Sequence, residues 1–253
     1  MPAVESLAFF AIGIVAIGLL SRALRLRYLQ WQFSNQHRAA IAGILVVFVS
    51  ILIISLLAIM LGSASAIGND PENKSPEKYT FGNVLGQAVV LLIAIMPILI
   101  AMRTRKEPLA SAGITRQNLP GATVLGLVLV VAQLLYLAAT TGFRAGSTLG
   151  HFWAFLQYSV VGFAEEFMFR GYLQTRLCAG LGKSWGWLLT SVLMAFSHFA
   201  HRMSFEHLDT MAALTSCVSL IPVSLLLGFL YLRSGNIMAP GIYHTFANWI
   251  ETL

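Results

Sequence analysis

The run AAIAGILVVFVSILIISLLAIMLG, residues 39–62, contains no charged side chain and is longer than the roughly 20 residues an α-helix needs to cross the hydrocarbon core of a bilayer. Working outward from it, further apolar runs occupy 6–21, 82–102, 121–141, 151–171, 185–200, 210–232 and 236–252. The runs at 185–200 and 236–252 are short, yet eight crossings account for the chain with only short loops between them. The expectation is an all-α fold, a polytopic membrane helix bundle of about eight transmembrane helices.

Composition excludes the alternatives. Of 253 residues, 57% are hydrophobic and only 10% are charged, whereas a soluble domain carries roughly a quarter charged residues. Soluble globular, disordered, coiled-coil and nucleic-acid-binding classes fall away, because too few polar groups exist to cover a water-facing surface of this size. The net charge of +6 is spread over residues at the ends of apolar runs, which is a topological pattern and not a nucleic-acid footprint. Arg22, Arg25, Arg27 and Arg38 follow the first run, and Arg103, Arg105, Lys106 and Arg116 with Glu107 follow the third; both loops read as cytoplasmic. The loop after the second run carries Asp70, Glu72 and Glu77 against Lys74 and Lys78, with Gly68, Pro71 and Pro76 as turn formers, and reads as exterior. Continuing the alternation puts Arg176, Lys183 and Arg233 inside, Glu206 and Asp209 outside, and both termini outside. The first run has only Glu5 before it and its positive cluster after it, so it is expected to be a retained helix and not a cleaved signal. Cys178 and Cys217 form no redox or metal-ligand spacing and read as packing residues.

Chemistry concentrates in 158–177, Tyr-Ser-Val-Val-Gly-Phe-Ala-Glu-Glu-Phe-Met-Phe-Arg-Gly-Tyr-Leu-Gln-Thr-Arg-Leu. Each charge at membrane depth costs roughly 2.5–3.5 kcal/mol, so Glu165, Glu166 and Arg170 unpaired would cost on the order of 8–10 kcal/mol. Glu166 and Arg170 are four apart and share a helix face, where an ion pair lowers that cost. Glu165 is rotated about 100° away and faces elsewhere. His198 lies near the end of the sixth run, and His244 and Asn248 lie four apart on one face of the last. A carboxylate with a neighbouring imidazole can take a proton from water, and an imidazole with a carboxamide can donate hydrogen bonds to a developing oxyanion. That is an inventory for peptide hydrolysis by an activated water.

In these residues the chain resembles the CAAX-processing and bacteriocin-processing (CPBP) intramembrane endopeptidases, which include the type II CAAX prenyl proteases. The family pattern is Glu-Glu-x-x-x-Arg, then Phe-x-x-x-His, then His-x-x-x-Asn or Asp. Here the first is Glu165-Glu166-Phe-Met-Phe-Arg170, followed by Gly171 and Tyr172, and the third is His244-x-x-x-Asn248, preceded by Leu230-Tyr-Leu-Arg-Ser-Gly-Asn-Ile-Met-Ala-Pro240. The second departs, with Met194 where the family has Phe, four positions before His198. The resemblance covers about 158–250; the first four runs match only in being apolar. It implies that Glu165 is the general base, assisted by His198, that Glu166 with Arg170 holds the geometry, and that His244 and Asn248 stabilise the tetrahedral oxyanion. It further implies no cofactor, a peptide or membrane-anchored protein as substrate, and a multi-pass location in a bacterial inner membrane. Residues 1–150 then read as a four-helix membrane scaffold segment and 151–253 as the catalytic core of one integrated membrane domain.

Other readings of the same residues stay open. Glu and His ligands could bind zinc with a water in the open position, although the His-Glu-x-x-His helix is absent. A non-enzymatic membrane partner or immunity protein could keep the motif for folding, as a buried salt bridge with interhelical hydrogen bonds. A transporter would show an inverted internal repeat between its halves, and none is found. His201, Glu206 and His207 read as interfacial residues after His198; His37 and His151 flank spans. Gly180-Leu-Gly-Lys-Ser184 lacks the first glycine and the strand-to-helix context of a phosphate loop. The aromatic residues near 28–33 and 185–187 read as interfacial belts.

Overall fold

The computed structural model describes residues 3–26, 31–61, 78–141, 148–204, 206–250 and 252, and every regular element among them is helical. Ten α-helices follow in order: α1 (Ala3–Ala23), α2 (Gln36–Leu61), α3 (Phe81–Thr104), α4 (Leu119–Thr141), α5 (Leu149–Glu166), α6 (Thr175–Leu181), α7 (Lys183–Ser197), α8 (Phe199–Ser204), α9 (Thr210–Ser234) and α10 (Met238–Ile250). A 3₁₀ turn, Leu109–Ala112, lies between α3 and α4, and a π-helical segment, Phe167–Gln174, joins α5 to α6.

Each apolar run therefore lies on a helix, and among the described residues four helices are long and apolar enough to cross a membrane by themselves: Gln36–Leu57 of α2, α3, Leu119–Thr140 of α4, and α9. The count of eight crossings is not confirmed. Helices α5, α7 and α10 carry polar side chains that neighbouring helices bury, which lowers their mean hydropathy. The acidic loop expected outside, residues 68–77, lies outside the described residues, as do Arg27 and residues 28–30 of the first aromatic group.

Large apolar side chains are exposed on several helices. On α2, Ile41, Leu45, Phe48, Leu52 and Leu56 are all exposed, and their spacing of three and four keeps them on one stripe. Inside, α10 packs between α4 and α5, α9 between α1 and α7, and α6 against α2 and α7. The π segment is central: it touches α2, α3, α7, α9 and the 3₁₀ turn, and all eight of its residues are buried.

Close backbone approach explains one glycine here. A Cβ on Gly171 would lie 2.2 Å from the carbonyl oxygen of Ala112, so only glycine lets the π segment press against the 3₁₀ turn. The same connection is tied to the turn between α9 and α10. Asn236 Nδ2 donates to the carbonyls of Thr115 at 2.7 Å and Gln117 at 3.2 Å, Asn118 Nδ2 donates to the Ser234 carbonyl at 2.8 Å, and the Ile237 N–H donates to the Gly113 carbonyl at 3.1 Å. Gly235, at φ +64°, caps α9 with its N–H on the Tyr231 carbonyl.

Arg176 is not a loop charge. It lies in α6 and is fully buried. Its Nη2 pairs with Glu107, its Nη1 donates to the Tyr172 carbonyl at 2.8 Å, and its guanidinium stacks 3.5 Å from the Tyr172 ring centroid with Phe33 at 5.1 Å. A basic residue at the end of an apolar run looks like a topology marker; here the helix continues and carries it inside. In the second aromatic group, Trp185 is exposed while Trp187 donates from Nε1 to the Leu225 carbonyl at 2.9 Å.

Candidate active site

Glu165 and Glu166 are the last two residues of α5, and Arg170 follows in the π segment. Arg170 Nη1 donates to Glu166 Oε1 at 2.9 Å, with both side chains fully buried. The four-residue spacing thus delivers the ion pair that the sequence suggests. Arg170 Nη2 also donates to the Oγ of Ser224 at 2.9 Å and to its carbonyl at 3.2 Å, which fixes the guanidinium against α9. Ser224 was not among the residues singled out from sequence. Its only local signal is a hydroxyl on a buried face of an apolar run, two residues after Pro222 within α9.

His244, on α10, lies between the two carboxylates. Its Nδ1 is 2.8 Å from Glu166 Oε1 and its Nε2 is 3.8 Å from Glu165 Oε2. Glu166 Oε1 therefore receives both Arg170 and His244, and a carboxylate so paired accepts the Nδ1 proton.

His198 completes the group from the end of α7. Its Nδ1 lies 3.0 Å from the Met194 carbonyl, which can only accept, so Nδ1 carries a proton and Nε2 is the atom that faces Glu165. That Nε2 is 4.0 Å from Glu165 Oε1. The position where the family pattern has Phe is filled by Met194, which is buried and supplies its backbone to orient the histidine.

Five of the six residues expected from sequence thus converge. Asn248 is half-buried one turn after His244 on the same helix and makes no hydrogen bond to this group among the described residues. Exposure is graded across the cluster: the Glu166 and Arg170 side chains are at 0%, Glu165 at 18% and His198 at 26%. The ion pair is sealed, and the carboxylate between the two imidazoles is reachable. Among the described residues no three His, Cys, Asp or Glu side chains are arranged to share a metal ion.

Of the other residues weighed, His151 sits in a capping box with Thr148 at the start of α5. Cys178 and Cys217 are both buried, and the Cys178 thiol donates to the Lys183 carbonyl at 3.6 Å. Lys183 opens α7, next to Gly182 at φ +83°.

No match was found among curated proteins or among solved structures. Residues 147–250 match the family model described as type II CAAX prenyl endopeptidase Rce1-like, a protease family. This match spans α5 through α10, the same stretch that holds the two glutamates, the arginine and both histidines, so residues 147–250 are similar to the Rce1-like type II CAAX prenyl endopeptidases.

Proposed function

We propose that the chain is an intramembrane endopeptidase of about eight crossings that hydrolyses a peptide bond of a membrane-associated substrate with a water activated by Glu165. The observation that carries this reading is the reachable carboxylate of Glu165 flanked by two imidazole Nε2 atoms, His198 at 4.0 Å and His244 at 3.8 Å. These separations exceed a hydrogen bond and suit a bridging water.

The steps follow from the contacts. His198 is oriented through Nδ1 on the Met194 carbonyl, so its Nε2 and the Glu165 carboxylate address the same water. Glu165 takes the proton as the water oxygen bonds to the scissile carbonyl carbon, and the proton then goes to the departing amine nitrogen. His244 as the imidazolium, with its Nδ1–H on Glu166 and its Nε2–H turned to the site, and the Asn248 carboxamide on the same helix face donate to the oxyanion that forms. Glu166 and Arg170 position His244 and do not touch substrate. The route uses no metal or cofactor. Residues 1–150 act as scaffold around a 151–253 core. The substrate is a peptide or membrane-anchored protein, for which the family description points to a prenylated C-terminus, and the setting is a bacterial inner membrane.

The test is cleavage, in lipid nanodiscs, of a panel comprising a prenylated CAAX peptide, its unprenylated form and a peptide with a C-terminal apolar anchor, each with and without a chelator. At least one peptide is expected to be cut regardless of chelator, and Glu165→Gln should slow cutting by about 10²–10⁴-fold. Full turnover by Glu165→Gln would overturn the reading. Loss of turnover on chelation would select the zinc enzyme, and site variants that fail only to accumulate in the membrane would select the non-enzymatic partner protein.

A further inference from the structure

His198 occupies a joint. Helix α7 ends at it, and helix α8 begins at the next residue. Its own carbonyl accepts the Arg202 N–H at 2.9 Å, so the backbone that carries the imidazole is the first rung of α8. Helix α8 has six residues, none of them buried, and a helix that short is not stable by itself. Some contact outside its own ladder has to hold it.

Two contacts do so. Arg202 Nη1 donates to both carboxylate oxygens of Glu206, at 2.5 and 2.6 Å, and the Arg202 carbonyl accepts the Leu208 N–H at 3.1 Å. The Glu206 side chain is only 6% exposed, against 23% for Arg202. A doubly engaged carboxylate of low exposure is a stronger fastening than an ordinary surface pair. His201 Nε2 lies 3.8 Å from the same carboxylate, but burial holds its imidazole below the ordinary value against the pull of Glu206, so Arg202 is the matching cation.

We propose that Arg202 and Glu206 are a positioning pair, folding the chain after His198 back on itself and so fixing His198 at its distance from Glu165. The inference rests on the endopeptidase reading above and adds a pair outside the motif residues. The Met194 carbonyl sets the ring's rotation from the α7 side, and the pair sets the backbone from the α8 side. Because misplacing a reacting group by about 1 Å can cost on the order of 10²-fold in rate, the pair acts on turnover and not on substrate affinity.

The experiment uses the full chain in nanodiscs and the panel peptide that it cuts fastest. Glu206→Gln is expected to lower kcat by about 10–100-fold with KM changed less than twofold, and the charge-reversed double variant R202E/E206R to recover at least a third of the lost rate on a logarithmic scale. Glu206→Asp, which keeps the charge and withdraws it by one methylene, carries the same expectation should Glu206→Gln accumulate poorly. Wild-type kcat in Glu206→Gln, or a rise in KM with kcat unchanged, overturns the proposal, as does a reversed pair no faster than the single variants. Glu165→Gln run in parallel separates the two readings. If it is inactive while Glu206→Gln is wild-type, only the positioning pair falls; if it cuts at the full rate, or if the wild-type chain cuts nothing, the endopeptidase reading falls and takes the pair with it.

Discussion

One carboxylate oxygen joins two charged partners: Glu166 Oε1 faces the Arg170 guanidinium and the His244 imidazole together, and Arg170 passes its other nitrogen to Ser224. With both members of the pair at zero exposure, removing one leaves a charge with no counterpart in a dry interior. Arg170→Leu should therefore destabilise the protein by about 3–5 kcal/mol. Ser224→Ala removes one charge-assisted bond and keeps the carbonyl contact, so it should cost about 1.5–3 kcal/mol. Denaturant titration of the two variants in one detergent checks the order, and equal losses would contradict it. Glu166 and Arg170 are legible from sequence because four residues on a helix fix a shared face. Ser224 is not, because it is 54 residues from Arg170 and only the packing of α9 against the π segment brings it near. His244 is half legible: its motif marks it as functional, but no spacing rule shows that its two nitrogens face two different carboxylates.

At the scale of elements, the π segment is where sequence reading and structure part. The apolar run at 151–171 ends on the page as a span followed by a basic loop, yet the helix runs on through α5, the π segment and α6 to Leu181. No residue pattern signals a π turn, since no proline or cap is needed to widen a helix by one residue per turn. What did stand in the sequence is Gly171 beside the arginine, and its reason is the Ala112 carbonyl at 2.2 Å from where a Cβ would be. Neither can yield without moving the main chain, because the Ala112 oxygen is backbone and a Cβ is fixed by its own backbone. Gly171→Ala should push the π segment off the 3₁₀ turn, costing about 1–3 kcal/mol by overpacking and lowering turnover further by displacing the Glu166–Arg170 pair. Gly18→Ala is the matched control, because nothing lies within 4 Å of its would-be Cβ; its turnover should stay at the wild-type value and its stability should hold or rise by up to about 1 kcal/mol. Thermal unfolding and cleavage assays on the pair decide the matter, and a Gly171→Ala protein as stable and active as Gly18→Ala would show that the close approach is dispensable.

For the molecule as a whole, the helical class was readable from composition, because a chain with 10% charged residues and 57% hydrophobic ones has few ways to fold other than by turning apolar faces to lipid. How the N-terminal helices grip the family segment was not readable, since it depends on one buried cation misplaced by topology rules. Arg176 in α6 reaches Glu107 in the turn after α3 while stacking on Tyr172 within the π segment. Together with the Asn236 and Asn118 bonds to the same α3–α4 connection, this fastens the N-terminal half to the element that holds Arg170. The Glu107 side chain is 12% exposed and that of Arg176 0%, so Glu107→Gln leaves a fully buried guanidinium without its carboxylate. The expected loss of stability is about 3 kcal/mol or more, nearly independent of salt because the pair is shielded from solvent. Arg105 reaches the same Glu107 at 3.9 Å from a side chain that is 37% exposed; Arg105→Gln should therefore stay within about 0.5 kcal/mol of wild type. Unfolding midpoints of both variants at low and high salt make the comparison. If Glu107→Gln were as mild as Arg105→Gln, the join between the halves would have to rest on helix packing and the asparagine bonds alone, and Arg176 would be a buried charge held by its aromatic stack and the Tyr172 carbonyl.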